Sequence, residues 1–142
     1  MKKVITNKFK VIVDVDSRLS DLDINQQVNF IHFYSYFDSA LNNFLIKKKI
    51  IDFNKGDILD LVVENKCNFY ESVCFPCTLR IGFSVAKIGN TSVTYELGLF
   101  KKNNIIASAH IVHVYVDRKN HTPKKIDEKF RRILNTISVD IS

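Results

Sequence analysis

The sequence predicts an α+β fold in which a five-stranded antiparallel sheet wraps around one long helix. Three observations carry this reading. A single aromatic stripe recurs at helical spacing, four successive segments are rich in β-branched and aromatic residues, and two tight turn signals join the last three of them.

The stripe comes first. From Phe30 the large apolar side chains return at Phe33, Tyr34, Phe37, Leu41, Phe44 and Leu45, steps of three and four that fall on one face of an α-helix. A helix over 28–48 would span roughly 30 Å. Asp21 and Asp23 precede it and Lys47, Lys48 and Lys49 close it, so the charges complement the macrodipole at both ends. Ahead of the helix, residues 9–16 alternate apolar and polar as a half-buried strand does. After it, Gly56-Asp57 closes a connection, and residues 59–70, 78–88, 91–101 and 105–116 read as strands. Gly89-Asn90 and Lys102-Asn103-Asn104 are hairpin signals, which makes the last three strands an antiparallel meander. Pro123 ends the strand region. Phe130, Ile133, Leu134 and Ile137 then mark a short helix over 126–137. Five antiparallel strands leave one broad apolar face, and the striped helix is the only element long enough to cover it.

Composition sets the outer limits. A chain of 142 residues, 46% hydrophobic and 11% aromatic, suffices for one core, so one domain over 1–142 without a linker is expected. The excess of 21 basic over 15 acidic groups, +6, favours an anionic partner. Its lysines are scattered rather than gathered on one element, which argues for small phosphorylated ligands and against nucleic acid. No run of eighteen apolar residues is present, so no membrane span is expected. The lead after Met1 is too short and interrupted for a signal peptide, which points to the cytoplasm. The odd set Cys67, Cys74 and Cys77 is then expected to be reduced.

This order of elements, with Ser20-Asp21-Leu22-Asp23-Ile24-Asn25-Gln26-Gln27-Val28-Asn29-Phe30 leading through Tyr36-Phe37-Asp38, resembles the hot-dog fold acyl-CoA thioesterases of the 4-hydroxybenzoyl-CoA thioesterase type. That family approaches its central helix as Ser-Asp-x-Asp-x-x-Gly-His-Val-Asn-Asn. Later blocks are similar as well: Phe69-Tyr70-Glu71-Ser72-Val73 where the family tends to Tyr-x-x-Pro-Val, Ile88-Gly89-Asn90-Thr91-Ser92-Val93, and the last long strand from Ala107 to Asp117. The chain departs at Gln26 for glycine, Gln27 for histidine, and Pro76-Cys77 for a frequent Gly-Asp.

The resemblance implies hydrolysis of an acyl-CoA or acyl carrier protein thioester, with Asp23 as nucleophile or general base and the backbone N–H of Phe30 as oxyanion donor. Asn29 would orient the thioester or hydrogen-bond the loop. It implies a homodimer or homotetramer with the site between subunits, no cofactor beyond the coenzyme A carried by the substrate, and no nucleic-acid or membrane partner. An acyl-thioester binding protein without turnover is the alternative, suggested by Gln26 and Gln27.

Other readings of the same residues are structural. Asp23 followed by Gln26 matches a capping box, Asp21 reads as a loop or cap residue, and Asp38 as a polar contact. Cys74-Phe-Pro-Cys77 precedes a strand and has no second pair, so neither a redox nor a zinc site is expected. His110 and His113 point to opposite faces of one strand. His32 and His121 have no partner visible in the sequence.

Overall fold

The computed structural model describes residues 8–52 and 54–139; the basic lead read from residues 1–7 lies outside them. Strand β1 (Val11–Asp16) is followed by the long helix α1 (Ile31–Lys47). Four strands come next, β2 (Ile58–Phe69), β3 (Thr78–Ile88), β4 (Ser92–Lys101) and β5 (Asn104–Asp117), and then helix α2 (Glu128–Thr136). All neighbours pair antiparallel in the order β1-β3-β4-β5-β2, so the expected hot-dog arrangement is the one the chain adopts.

The sheet curls because its strands twist and because three of its ladders are bulged. Register shifts fall between Val62 and Glu64 on β2, between Val85 and Lys87 on β3 and between Leu99 and Phe100 on β4. At the second of these the chain after α2 enters: Val85 N–H donates to the Ile137 carbonyl at 2.9 Å, and Val139 N–H to the Val85 carbonyl at 3.0 Å. The β4–β5 turn is a two-residue loop, with Lys102 at the positive φ (55°) that tight hairpins use. On the convex face Gly82 and Gly98 sit opposite one another across β3 and β4. A Cβ on Gly82 would come within 2.7 Å of the Phe9 ring, so glycine there is what lets Phe9 and Phe100 lie on the sheet.

The concave face holds α1, whose side chains Phe33, Tyr36, Phe37, Ala40, Leu41 and Leu45 are buried against β3, β4 and β5. The stripe read from the sequence is rotated slightly: Tyr34 and Phe44 are half-buried, while Tyr36 and Ala40 are fully inside. A curled sheet covers a wider arc of the helix than a flat one, and Tyr36 turns into that arc because its hydroxyl has a buried partner there. The helix begins three residues later than the spacing suggested and α2 two residues later. In α2 the reason is explicit, since Asp127 is the N-cap and accepts the Phe130 N–H at 2.7 Å.

A buried polar cluster lies within the core, on the face of the sheet that holds α1. His113 on β5 is fully buried, with its Nδ1 3.3 Å from Asp60 Oδ2 on β2 and its ring edge-on to Tyr95 on β4 and to Tyr115. Those two phenols hydrogen-bond one another at 2.9 Å. Asp38 of α1 faces the cluster and accepts from Asn42 at 3.1 Å, and burial pushes its carboxyl above the usual range.

Burial pushes the His113 imidazole below its ordinary 6.5, against the opposing pull of Asp60 and Asp38. Between the folded and unfolded values the unfolded chain binds the extra proton, so stability rises with pH across that window. His113 therefore contributes its full stability above about pH 6.5, and acidification below it should erode stability by up to about 1.4 kcal/mol per pH unit. Urea unfolding at pH 7.5, 6.5, 5.5 and 5.0 measures this slope. His113→Asn should flatten it, and an unchanged slope in that variant would remove His113 as the cause.

Candidate active site

The segment between β1 and α1 is built as a small closed loop seated on a buried carboxylate. Asp21 ends a 3-10 turn (Leu19–Asp21) and is only 3% exposed. Tyr36 O–H donates to its Oδ2 at 2.7 Å, Arg18 Nε–H to the same oxygen at 2.9 Å, and His32 Nδ1 lies 3.5 Å from Oδ1. Burial alone would raise the Asp21 carboxyl. The bonds from Tyr36 and Arg18 outweigh it and hold the group below the usual carboxylate value, while burial and Asp21 together push the Tyr36 phenol up to about 12. The Asp21 carbonyl accepts the Asn29 N–H at 2.9 Å, Leu22 bridges Val28, and Asp23 N–H donates to the Gln27 carbonyl at 2.8 Å.

Asp23 sits inside this loop. Its Oδ1 accepts the N–H groups of Asn25 at 2.8 Å and Gln27 at 3.2 Å, whereas Oδ2 has no hydrogen bond among the described residues. The capping-box reading fails here, because the helix starts eight residues after Asp23 and the carboxylate is spent on its own turn. Helix α1 is instead capped from Asn29, whose side-chain oxygen accepts the Ile31 N–H at 3.2 Å. Phe30 follows with helical backbone angles, and its N–H has no acceptor among the described residues. An unsatisfied N–H at the positive end of a seventeen-residue helix is a ready donor for developing negative charge.

A cleft of about 430 Å³ opens in front of these groups. Asp23 and Phe30 line it with Gln27, Phe33, Phe69 and Glu71, and Asn29 lies outside the lining. The Phe69 ring stands edge-on to Phe30 at 5.5 Å and near Phe33 at 5.7 Å, giving the cleft an aromatic wall. Val28 N–H donates to the Val73 carbonyl at 2.7 Å, and this bond ties the loop to the segment that follows β2. One carboxylate with a free oxygen, an aromatic wall and an unpaired N–H at a helix start suit attack on a carbonyl carbon and stabilisation of the resulting oxyanion.

Asp21, a loop or cap residue by sequence alone, is buried under Tyr36, and His32, without a partner visible in the sequence, lies beside it. The i,i+3 pair Arg18 and Asp21 was a readable signal, but Tyr36 joins them from fifteen positions away. Cys74 is exposed and Cys77 half-buried, both as free thiols, and no cluster among the described residues has the side chains for a metal. No helix among them is long and apolar enough to cross a membrane.

Gln26, in the place where the resembling family has glycine, holds φ at 60°. A side chain in this region costs roughly 1–2 kcal/mol, and glycine would give back about 0.5–1 kcal/mol through its freer unfolded chain. Gln26→Gly should therefore stabilise the protein by about 0.5–1 kcal/mol in urea unfolding. A loss of stability would mean that the Gln26 side chain holds the loop.

The sequence model of a family described as the thioesterase-like superfamily matches residues 17–134. No curated protein matches the chain. Among solved structures, the PA5185 protein of Pseudomonas aeruginosa is 32% identical, with a TM-score of 0.88 over 94% of each chain. A gentisyl-coenzyme A thioesterase is 23% identical, with a TM-score of 0.75 over 85% of this chain and 99% of its own. A DHNA-CoA thioesterase from Staphylococcus aureus is 16% identical, with a TM-score of 0.77 over 88% of this chain and 86% of its own. At those last two identities the likeness is one of fold.

Proposed function

Because the chain belongs to the thioesterase-like superfamily, we propose that it hydrolyses an acyl thioester, with Asp23 as the reactive carboxylate and the Phe30 N–H as oxyanion donor. The observation that carries this reading is the pairing, at one cleft, of a carboxylate with one unbonded oxygen and a helix-start N–H without an acceptor. Asp23 attacks the carbonyl or draws a proton from water, charge gathers on the carbonyl oxygen, and the Phe30 N–H with the α1 dipole stabilises it. The thiolate of coenzyme A leaves readily, so no metal or redox cofactor is required. Asn29 supports the site by fixing the first turn of α1.

The substrate is a small-molecule thioester carried by coenzyme A or by an acyl carrier protein. The Phe30, Phe33 and Phe69 rings suit an apolar or aromatic acyl group, the class that the gentisyl-coenzyme A thioesterase of like fold is named for. A panel of aliphatic and aromatic acyl-CoAs, with release of the free thiol as readout, tests the reading. Turnover of at least one member is expected. Saturable binding of CoA esters with no release across the panel would point instead to an acyl-thioester binding protein.

The assembly is proposed to be a homodimer, alone or paired into a tetramer. Strand β2 is a twelve-residue edge with Leu61, Val62 and Val63 exposed, and a long apolar edge invites a second copy to extend the sheet. Sedimentation at micromolar concentration should give at least twice the 16.4 kDa chain mass. A monomer throughout would contradict it.

A further inference from the structure

A second carboxylate faces the cleft, and nothing in the fold accounts for it. Glu71 follows β2 and lines the same cleft as Asp23. It is half-buried, and its side chain makes neither a hydrogen bond nor an ion pair among the described residues. The other partly buried acids have partners. Asp21 is held by Tyr36 and Arg18, Glu96 by His110 at 2.6 Å, and Asp60 lies beside His113. The Glu71 carboxylate is thus left free at the cleft, where chemistry can use it.

Its position relative to Asp23 is fixed from two sides. The N–H groups of Tyr70 and Glu71 both donate to the Ile106 carbonyl on β5, at 2.8 and 3.3 Å. Two residues on, the Val73 carbonyl receives the Val28 N–H from the Asp23 loop at 2.7 Å. Glu71 is thus stitched between the sheet and the loop that presents Asp23, and the two carboxylates share one cleft although 48 positions separate them in sequence.

We propose that Asp23 and Glu71 divide the hydrolysis between them, Asp23 as nucleophile and Glu71 as the general base that activates the hydrolytic water. This rests on the thioesterase reading above. In the first half the free Oδ2 of Asp23 bonds to the thioester carbon and the carbonyl π pair moves onto oxygen, facing the Phe30 N–H. Collapse restores the carbonyl, breaks the C–S bond and expels coenzyme A as thiolate, leaving a mixed anhydride on Asp23. Once acylated, Asp23 has no basic oxygen to offer water. In the second half Glu71 takes a proton from water as its oxygen bonds to the substrate-derived acyl carbon. Collapse breaks the bond to the Asp23 oxygen, frees that carboxylate and yields the carboxylic acid, and the proton on Glu71 passes to the thiolate or to solvent. The reaction consumes one thioester and one water and needs no other reactant.

The test is Glu71→Gln in the full chain, with a thioester that the wild type turns over. A burst of about one free thiol per site should precede a steady state slowed about 10²–10⁴-fold, the usual range for losing a general base. Acid-quenched enzyme should carry the acyl mass on the peptide containing Asp23, and Glu71→Asp should recover part of the rate. A steady-state rate within twofold of the wild type overturns the proposal. So does a slowed rate with neither burst nor adduct, or a change confined to KM, which would make Glu71 a substrate-recognition group. A wild type inactive on every thioester offered overturns the function as well. An active wild type with an unaffected Glu71→Gln overturns the division of labour alone.

Discussion

Asp23→Asn should lower kcat about 10²–10⁴-fold, some 3–5 kcal/mol of barrier, with KM changed by no more than a few-fold. The expectation follows from how the side chain is held. Oδ1 binds the N–H groups of Asn25 and Gln27, and an asparagine side-chain oxygen can accept both, so the loop keeps its shape. What is lost is the second oxygen, the one unbonded among the described residues, and with it both nucleophilicity and basicity. A loss in kcat without a matching loss in KM is the signature of an interaction made in the transition state rather than in substrate binding. The melting temperature should match the wild type. Activity within twofold of the wild type in a folded Asp23→Asn would end the assignment of this carboxylate.

Phe30→Pro is the second large effect, and it probes a backbone atom. Proline removes the N–H that has no acceptor among the described residues, and the native φ of −55° lies within the range of the proline ring. The first helical position is also where helices tolerate proline best. The aromatic ring is lost too, so Phe30→Ala is the reference. Against that reference Phe30→Pro should reduce kcat about 10²–10³-fold, roughly 3–4 kcal/mol, the usual result of deleting one oxyanion donor. Circular dichroism should show α1 intact in both. Equal activity in the alanine and proline variants would show that the oxyanion is held elsewhere.

The two variants separate chemistry from scaffolding because the site stands on groups that neither one touches. Asp21, buried beneath the loop and bonded by Tyr36 and Arg18, sets the height of Asp23 and Asn29 through its backbone. It also explains how the chain manages without the glycine and histidine usual in the resembling family. Gln26 takes the left-handed conformation itself, and Gln27 contributes its backbone N–H and carbonyl to Asp23. The loop closes on main-chain bonds, so its shape depends little on those two side chains.

What the chain order alone determined was the identity and order of the elements, which depend on near neighbours. The strand segments, the two hairpins and the long helix follow from periods of two and of three to four, and these are local properties of a polymer with fixed backbone geometry. The resemblance carried by Ser20 to Phe30 also singled out Asp23 and Phe30, because they lie within one loop and the first turn of one helix. Tertiary structure alone decided what depends on distant meetings. Tyr36 turns inward to meet Asp21 fifteen residues back, which no stripe of apolar residues foretells. His113 comes to rest against Asp60 because β2, though second among the strands in sequence, pairs with β5 at the edge of the sheet. Glu71 enters the cleft for a similar reason: the end of β2 is pinned to Ile106 and Val73 receives Val28, bonds between segments that the sequence keeps far apart. Local propensity chooses the elements, but the partners of a buried charge are chosen by how the sheet closes around the helix, and that closure is a property of the whole chain.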